Sequence, residues 1–174
     1  MSVKHKVVPL FTALLMIVGL SVGASSAASA YSNTTTVRNG PAQIYLNGSA
    51  WWNTIGQFSL SDWWNGPKGA WNDPYAYVSG STSQGQVTMA RATMSMRIDG
   101  FVTSISSAPG FSISQGSHTC SRTYSSANGY SWVSAQQGGA ACTARNNNWA
   151  GDYSITGDIR IGGAKWYSGS LNVY

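Results

Sequence analysis

ARATMSMRIDGFVTSI, residues 90–105, alternates strictly between apolar and polar side chains up to its turn. Ala90, Ala92, Met94, Met96 and Ile98 fall on one side, with Arg91, Thr93, Ser95 and Arg97 on the other. Period two describes an extended strand with one buried face, because successive Cβ atoms of a strand point to opposite sides. Asp99-Gly100 tolerates the positive φ angles of a tight two-residue hairpin turn. In that register Ile98 opposes Phe101, Met96 opposes Thr103 and Met94 opposes Ile105. Phe101 and Ile105 then join the apolar side and Ser104 the polar one, and a slip of one residue would scramble the separation. The stretch predicts a hairpin with one face in the core.

The same reading extends along the chain. Asn47-Gly48, Asn128-Gly129 and Gly162-Gly163 are further turn candidates. At the C-terminus a two-residue Gly162-Gly163 loop would set Arg160 against Lys165, a destabilising like-charge pair. Including Ala164 in the loop removes that clash. It also pairs Ile159 with Tyr167, Ile155 with Leu171 and Tyr153 with Val173, which predicts a three-residue turn. Strands are expected near 119–125, 130–136 and 140–145, with earlier ones at Val37 and Ile44-Tyr45-Leu46. Pro41, Pro67, Pro74 and Pro109 fall in the gaps between them. No segment carries sustained apolar spacing at the helical period. The expected fold is all-β, an antiparallel β-sandwich or jelly roll of about seven to nine strands, with a closed β-barrel as the alternative.

Cys120 and Cys142 are the only cysteines. In an oxidising compartment such a pair is expected to form a disulfide. Metal ligation and two free thiols are the alternatives, and a metal would lack partners once His118 is the sole histidine past the leader. Bridged cysteines need Cα atoms within about 7 Å, whereas the outer strands of a flat three-strand meander lie about 9.5 Å apart. The two cysteine strands are therefore direct neighbours, or they face each other between sheets, or one cysteine lies in a loop.

The N-terminal residues read differently. Lys4, His5 and Lys6 precede an apolar run from Val7 to about Leu20, and small residues end in Ala28-Ser29-Ala30. This is the pattern of a secretory signal peptide over residues 1–30, with a single secreted domain over 31–174. The apolar run is shorter than the roughly 18 to 20 residues that span a bilayer. The chain has a net charge of +5, to which Lys4 and Lys6 contribute two. The remaining bases are scattered singly, unlike the clustered stripe of a nucleic-acid binder, but they permit attraction to an anionic cell envelope. Asn33 and Asn47 open Asn-x-Ser/Thr sites that matter only in a eukaryotic host.

Residues 51–77 are compositionally distinct. They hold Trp51, Trp52, Trp63, Trp64, Trp71, Tyr75 and Tyr77, interleaved with Asn53, Asp62, Asn65, Asn72 and Asp73. Adjacent tryptophans on a strand project to opposite faces, so each Trp-Trp pair would send one ring inward and leave one outside. An exposed indole beside an amide suits a pyranose, whose apolar face stacks on the ring while its hydroxyls bond the amide. The same rings suit a membrane interface. They also suit a plain core in a domain poor in Leu and Ile.

Catalysis has thin support. No G-x-S-x-G elbow occurs, and His118 lies at a strand entrance. With no glutamate in the chain, a glycosidase would have to pair aspartates, and Asp62 with Asp73 is the pair to test. Neither a metal site nor another cofactor site is expected. The composition points first to a secreted noncatalytic module contacting cell-wall or extracellular polysaccharide through its tryptophans. A secreted antimicrobial, bacteriocin-like or pore-forming protein acting on membranes ranks second. An extracellular structural or protein-binding, inhibitor-like domain ranks third and an enzyme fourth.

Overall fold

The computed structural model describes residues 28–55 and 68–174. Most of the expected signal segment, together with Asp62, Trp63, Trp64, Asn65 and Pro67, lies outside the described residues. The described chain forms eleven strands: β1 (Ala28–Asn39), β2 (Ala42–Ile55), β3 (Lys68–Thr82), β4 (Val87–Gly100), β5 (Ser104–Ser107), β6 (Ser112–Ser114), β7 (Thr119–Ser125), β8 (Trp132–Gln136), β9 (Ala140–Arg145), β10 (Asn148–Ile161) and β11 (Lys165–Asn172). They make two antiparallel sheets that do not close into a barrel. The first has the order β1-β2-β3-β9-β5, with β8 also paired to β3, and the second runs β11-β10-β4-β7-β6. The fold is a β-sandwich. It exceeds the expected strand number because β3, read in sequence only as a tryptophan-rich segment, and the three-residue β6 were not placed as strands.

Period-two patterning builds the core. Ile44 and Leu46 of β2, Trp71 and Val78 of β3, Met94, Met96 and Ile98 of β4, and Tyr153, Ile155 and Ile159 of β10 are all buried between the sheets. Cys120 on β7 and Cys142 on β9 are bridged, with Cα atoms 5.9 Å apart. Their strands belong to opposite sheets, so the disulfide ties the two layers together, one of the three arrangements the geometry allowed. The C-terminal hairpin has the expected register, with Ile155 opposite Leu171, Ile159 opposite Tyr167, and Ile161 opposite Lys165 across a three-residue loop.

The hairpin expected at Asp99-Gly100 does not form. Residues 87–100 stay in one strand whose neighbours are β10 and β7, and the chain then crosses to the other sheet, where β5 pairs with β9. Both segments aim their apolar sides at the same core, so Ile105 is buried although it lies in the opposite layer. Phe101, assigned to the core by that register, is 63 % exposed.

Asn47-Gly48 is not a turn either; both residues lie inside β2. Gly48 faces the core, and a Cβ there would run into Ile155 and stand 2.7 Å from Val173 Cγ2. Glycine is required for close approach of the sheets, not for chain reversal. The β1–β2 turn is instead Gly40-Pro41, between paired Asn39 and Ala42. Gly40 has φ +58°, the positive angle that a type II′ turn needs at its first central position. Asn128-Gly129 does turn the chain, but between β7 and β8 in different sheets.

Pro74 lies within β3, contrary to the gap expected there. It occupies a break in the ladder, where pairing with β2 passes from Ser49–Tyr75 to Trp51–Asn72. On its other edge β3 carries β8 and β9 end to end, over Tyr75–Ser79 and Gly69–Asn72 respectively. Asp73, at φ +48°, fastens this junction by accepting the Gly139 N–H at 2.6 Å while its own N–H donates to the Gly139 carbonyl. At the lateral side opposite the disulfide, the Asn33 and Asn39 amides each donate at 2.9 Å to β11 carbonyls, those of Asn172 and Ser168. Ala28–Ala30 pair with Trp51–Asn53, and cleavage after Ala30 would leave the Tyr31–Asn39 pairs of β1 in place.

Candidate functional site

The outward face of the first sheet gathers aromatic side chains from three strands. Tyr45 of β2 and Trp132 of β8 both lie opposite Ser79 of β3, and Asn47 and Ser134 both lie opposite Tyr77. Each ring therefore has a hydroxyl or amide directly across from it and meets the next ring on the diagonal, within reach of large side chains. Tyr45 and Tyr77 are 5.9 Å apart at 67°, and Tyr77 and Trp132 are 6.4 Å apart within 22° of parallel. Tyr130, just before β8, continues the row at 6.2 Å from Trp132 and stands at 89° to it. Tyr45, Trp132 and Tyr130 are exposed and Tyr77 is half-buried between them.

Shallow cavities flank the row. One of about 330 Å³ is lined by Ser126, Ala127, Tyr130, Trp132, Val133 and Ser134. Another of about 300 Å³ lies at the Tyr45 end, against Thr36, Gln43 and Ser79. No charged residue occupies the two cross-strand rows that hold these rings. Chemically the surface offers ring faces and edges, with neutral hydroxyl and amide groups set between them.

No protein-family model and no curated protein matches the chain. The site is read from its geometry.

The expected tryptophan surface divides. Trp51 points outward and is 47 % exposed, whereas Trp52 is buried, the split that alternation requires of adjacent residues. Trp71, also expected at the surface, is fully buried; its indole Nε1 donates to the Arg97 carbonyl at 2.8 Å. Trp52 meets it edge-on at 5.4 Å. Burial removes Trp52 and Trp71 from any binding surface. Tyr75 and Tyr77 both face outward and are half-buried, Tyr75 opposite Ser49 and Gln136. Of the residues singled out in sequence, Tyr77 alone belongs to the row; Trp63 and Trp64 lie outside the described residues. Tyr45, Trp132 and Tyr130 were missed. Their signal was present, since Tyr45 sits between inward Ile44 and Leu46, and Trp132 precedes Val133 in an alternating strand.

The polar candidates have structural duties. Asp73 holds the β8–β9 junction. Its suggested partner Asp62 lies outside the described residues. Asp158 is buried beside Arg91 at 3.1 Å and accepts from the Ser168 hydroxyl. His118 adopts φ +47° in the turn before β7, and its carbonyl accepts the Ile98 N–H.

Proposed function

We propose that the protein is a secreted, noncatalytic binding module that holds cell-wall or extracellular polysaccharide against the Tyr45–Tyr77–Trp132–Tyr130 row. The observation that carries this reading is the diagonal run of rings with Ser79, Ser134 and Asn47 between them. A pyranose presents C–H groups on its faces and hydroxyls at its rim. The faces stack on aromatic rings, and the hydroxyls exchange hydrogen bonds with serine and asparagine. Absence of charge on the two rows favours a neutral polymer over a polyanion. The row crosses three adjacent strands, about 10 Å from β2 to β8, so it meets more than one sugar of an extended chain. Because the rings stand on a paired sheet, little ordering cost accompanies contact.

Retention on insoluble cellulose, chitin and peptidoglycan tests the proposal. Retention on one of them should fall by about tenfold or more for Tyr77→Ala and for Trp132→Ala, equivalent to about 1.4 kcal/mol. A wild-type protein retained by none of the three, or variants retained as well as wild type, would overturn it.

A further inference from the structure

We infer a second saccharide subsite at the end of the sandwich where β4 meets β10, formed by Phe101, Trp149, Asp99 and Asn147 and suited to the end of a neutral sugar chain. The inference rests on the polysaccharide reading and extends it to a separate place. Gly69 of β3 pairs with Ala144 near this end of the sheet. Tyr77 lies eight residues further along the same strand, about 26 Å away at the usual strand rise of ~3.3 Å. The row and the cleft are therefore distinct surfaces.

Phe101 and Trp149 are the most exposed large apolar side chains among the described residues, at 63 % and 59 %. Both line an open cavity of about 560 Å³ with Asp99, Gly100 and Asn147. Their exposure does not come from a loosely held segment. Trp149 pairs with Asp99 and Asn148 with Gly100 in the β10–β4 ladder, and the Phe101 N–H donates to the Asn147 carbonyl at 3.0 Å. Gly100 has φ +112°, and a Cβ there would collide with that same carbonyl. Below the cleft the Asn148 amide donates to the Ala144 and Asn146 carbonyls at 3.1 and 2.9 Å, while Asn146 is buried at φ +68°. The backbone accepts a sparsely populated conformation to present two rings to solvent, a pattern associated with function.

The polar lining selects the occupant. Arg97 grips Asp99 with two contacts, Nε to Oδ1 at 3.0 Å and Nη2 to Oδ2 at 3.1 Å, and reaches Asp152 at 3.0 Å. This fixes the Asp99 carboxylate at the rim with lone pairs to spare, and the Asn147 side chain adds a donor and an acceptor. Arg97 offsets Asp99, so the carboxylate lining the cleft carries its own counterion. An anionic bilayer would gain no attraction from that pair. Two aromatic rings with an oriented carboxylate and an amide match a neutral sugar. The cleft opens at the sandwich tip, and a chain enters it by its end, whereas the flat row is met from the side.

Calorimetric titration of the purified protein with cellohexaose, chitohexaose and solubilised peptidoglycan strands tests this. One of these should bind, and Trp149→Ala and Phe101→Ala should each weaken it by about tenfold, ~1.4 kcal/mol. Retention of these variants on the matching insoluble polymer should stay within about twofold of wild type, a difference near 0.4 kcal/mol. Tyr77→Ala should instead lower retention on that insoluble polymer by about tenfold. Unchanged melting temperatures check that the exposed substitutions leave the fold intact. The inference is overturned if no soluble probe binds wild type, if the tip variants bind it normally, or if they instead lose attachment to phosphatidylcholine or phosphatidylglycerol vesicles. Loss of the row's function shows separately, as failure of wild type on insoluble polymer.

Discussion

Replacing Cys120 and Cys142 together by alanine should cost at least about 3 kcal/mol. The bridged residues are 22 apart in sequence, and the loop-closure entropy that a loop of this length removes from the unfolded chain amounts to about 3.4 kcal/mol at 25 °C. Both cysteines are fully buried, so loss of the two sulfur atoms from the core adds a packing term of the same sign. Urea unfolding of the double variant should show a lower midpoint. It should also show a steeper dependence on urea, because an uncrosslinked denatured chain exposes more surface. The melting temperature should fall by about 10 °C for a domain of this size. Reducing wild type in the unfolded state and refolding it with the reductant present separates the crosslink from the packing, since the thiols stay in place. Reduced wild type that unfolds at the same urea concentration as the oxidised form would refute the reasoning.

Gly48→Ala should destabilise the fold by about 2 kcal/mol, the scale of overpacking a tight core, because its Cβ meets Ile155 and Val173 across the sheets; a calorimetric melting temperature equal to wild type would contradict the close approach. Tyr153 is fully buried and its hydroxyl donates to the Tyr75 carbonyl at 2.8 Å; burial pushes its phenol far above the usual value of 10, with Tyr124 adding to the effect. The unfolded chain loses this proton near pH 10 and the folded chain keeps it, so stability should decline above pH 10 by about 1.4 kcal/mol per pH unit from this group. Tyr153→Phe should lower stability by about 1 kcal/mol at neutral pH and flatten that alkaline decline; an unchanged slope in denaturation curves from pH 9 to 11 counts against it. The double variant Asn33→Ala, Asn39→Ala should associate at high concentration, because it uncovers carbonyls of the β11 edge; sedimentation identical to wild type would show that the edge is guarded by something else.

Facial alternation was legible at once. Every apolar residue assigned inward on β4 and β10 is buried, since period two needs no knowledge of neighbours. The C-terminal register was legible because a charge clash and apolar pairing selected the same loop length. Sheet membership was not. A strand that crosses the sandwich keeps its apolar side toward the core, so residues 94–98 and 101–105 look like hairpin partners whether they share a sheet or face one another. The glycines misled for a related reason. Asn47-Gly48 has the composition of a turn, but Gly48 serves strand packing. The aromatic row depends on strand order, which sets β8 beside β3, and no local pattern around Trp132 encodes that neighbour. Tryptophan density drew attention to 51–77, where two of the described rings, Trp52 and Trp71, fill the interior.

The end-to-end placement of β8 and β9 along β3 insulates one half of that edge from the other. Trp132 belongs to the first half and Cys142 to the second, and the Asp73–Gly139 clasp lies between them. In one unbroken strand, a single inserted residue would shift every position beyond it and turn the cysteine away from its mate. Here residues 137–139 lie between the two pairings, so an added residue at 137–138 can be taken up without moving either half out of step with β3. Drift in the ring-bearing half can thus proceed without unhooking the crosslinked one, which gives the lineage freedom to retune its outer surface.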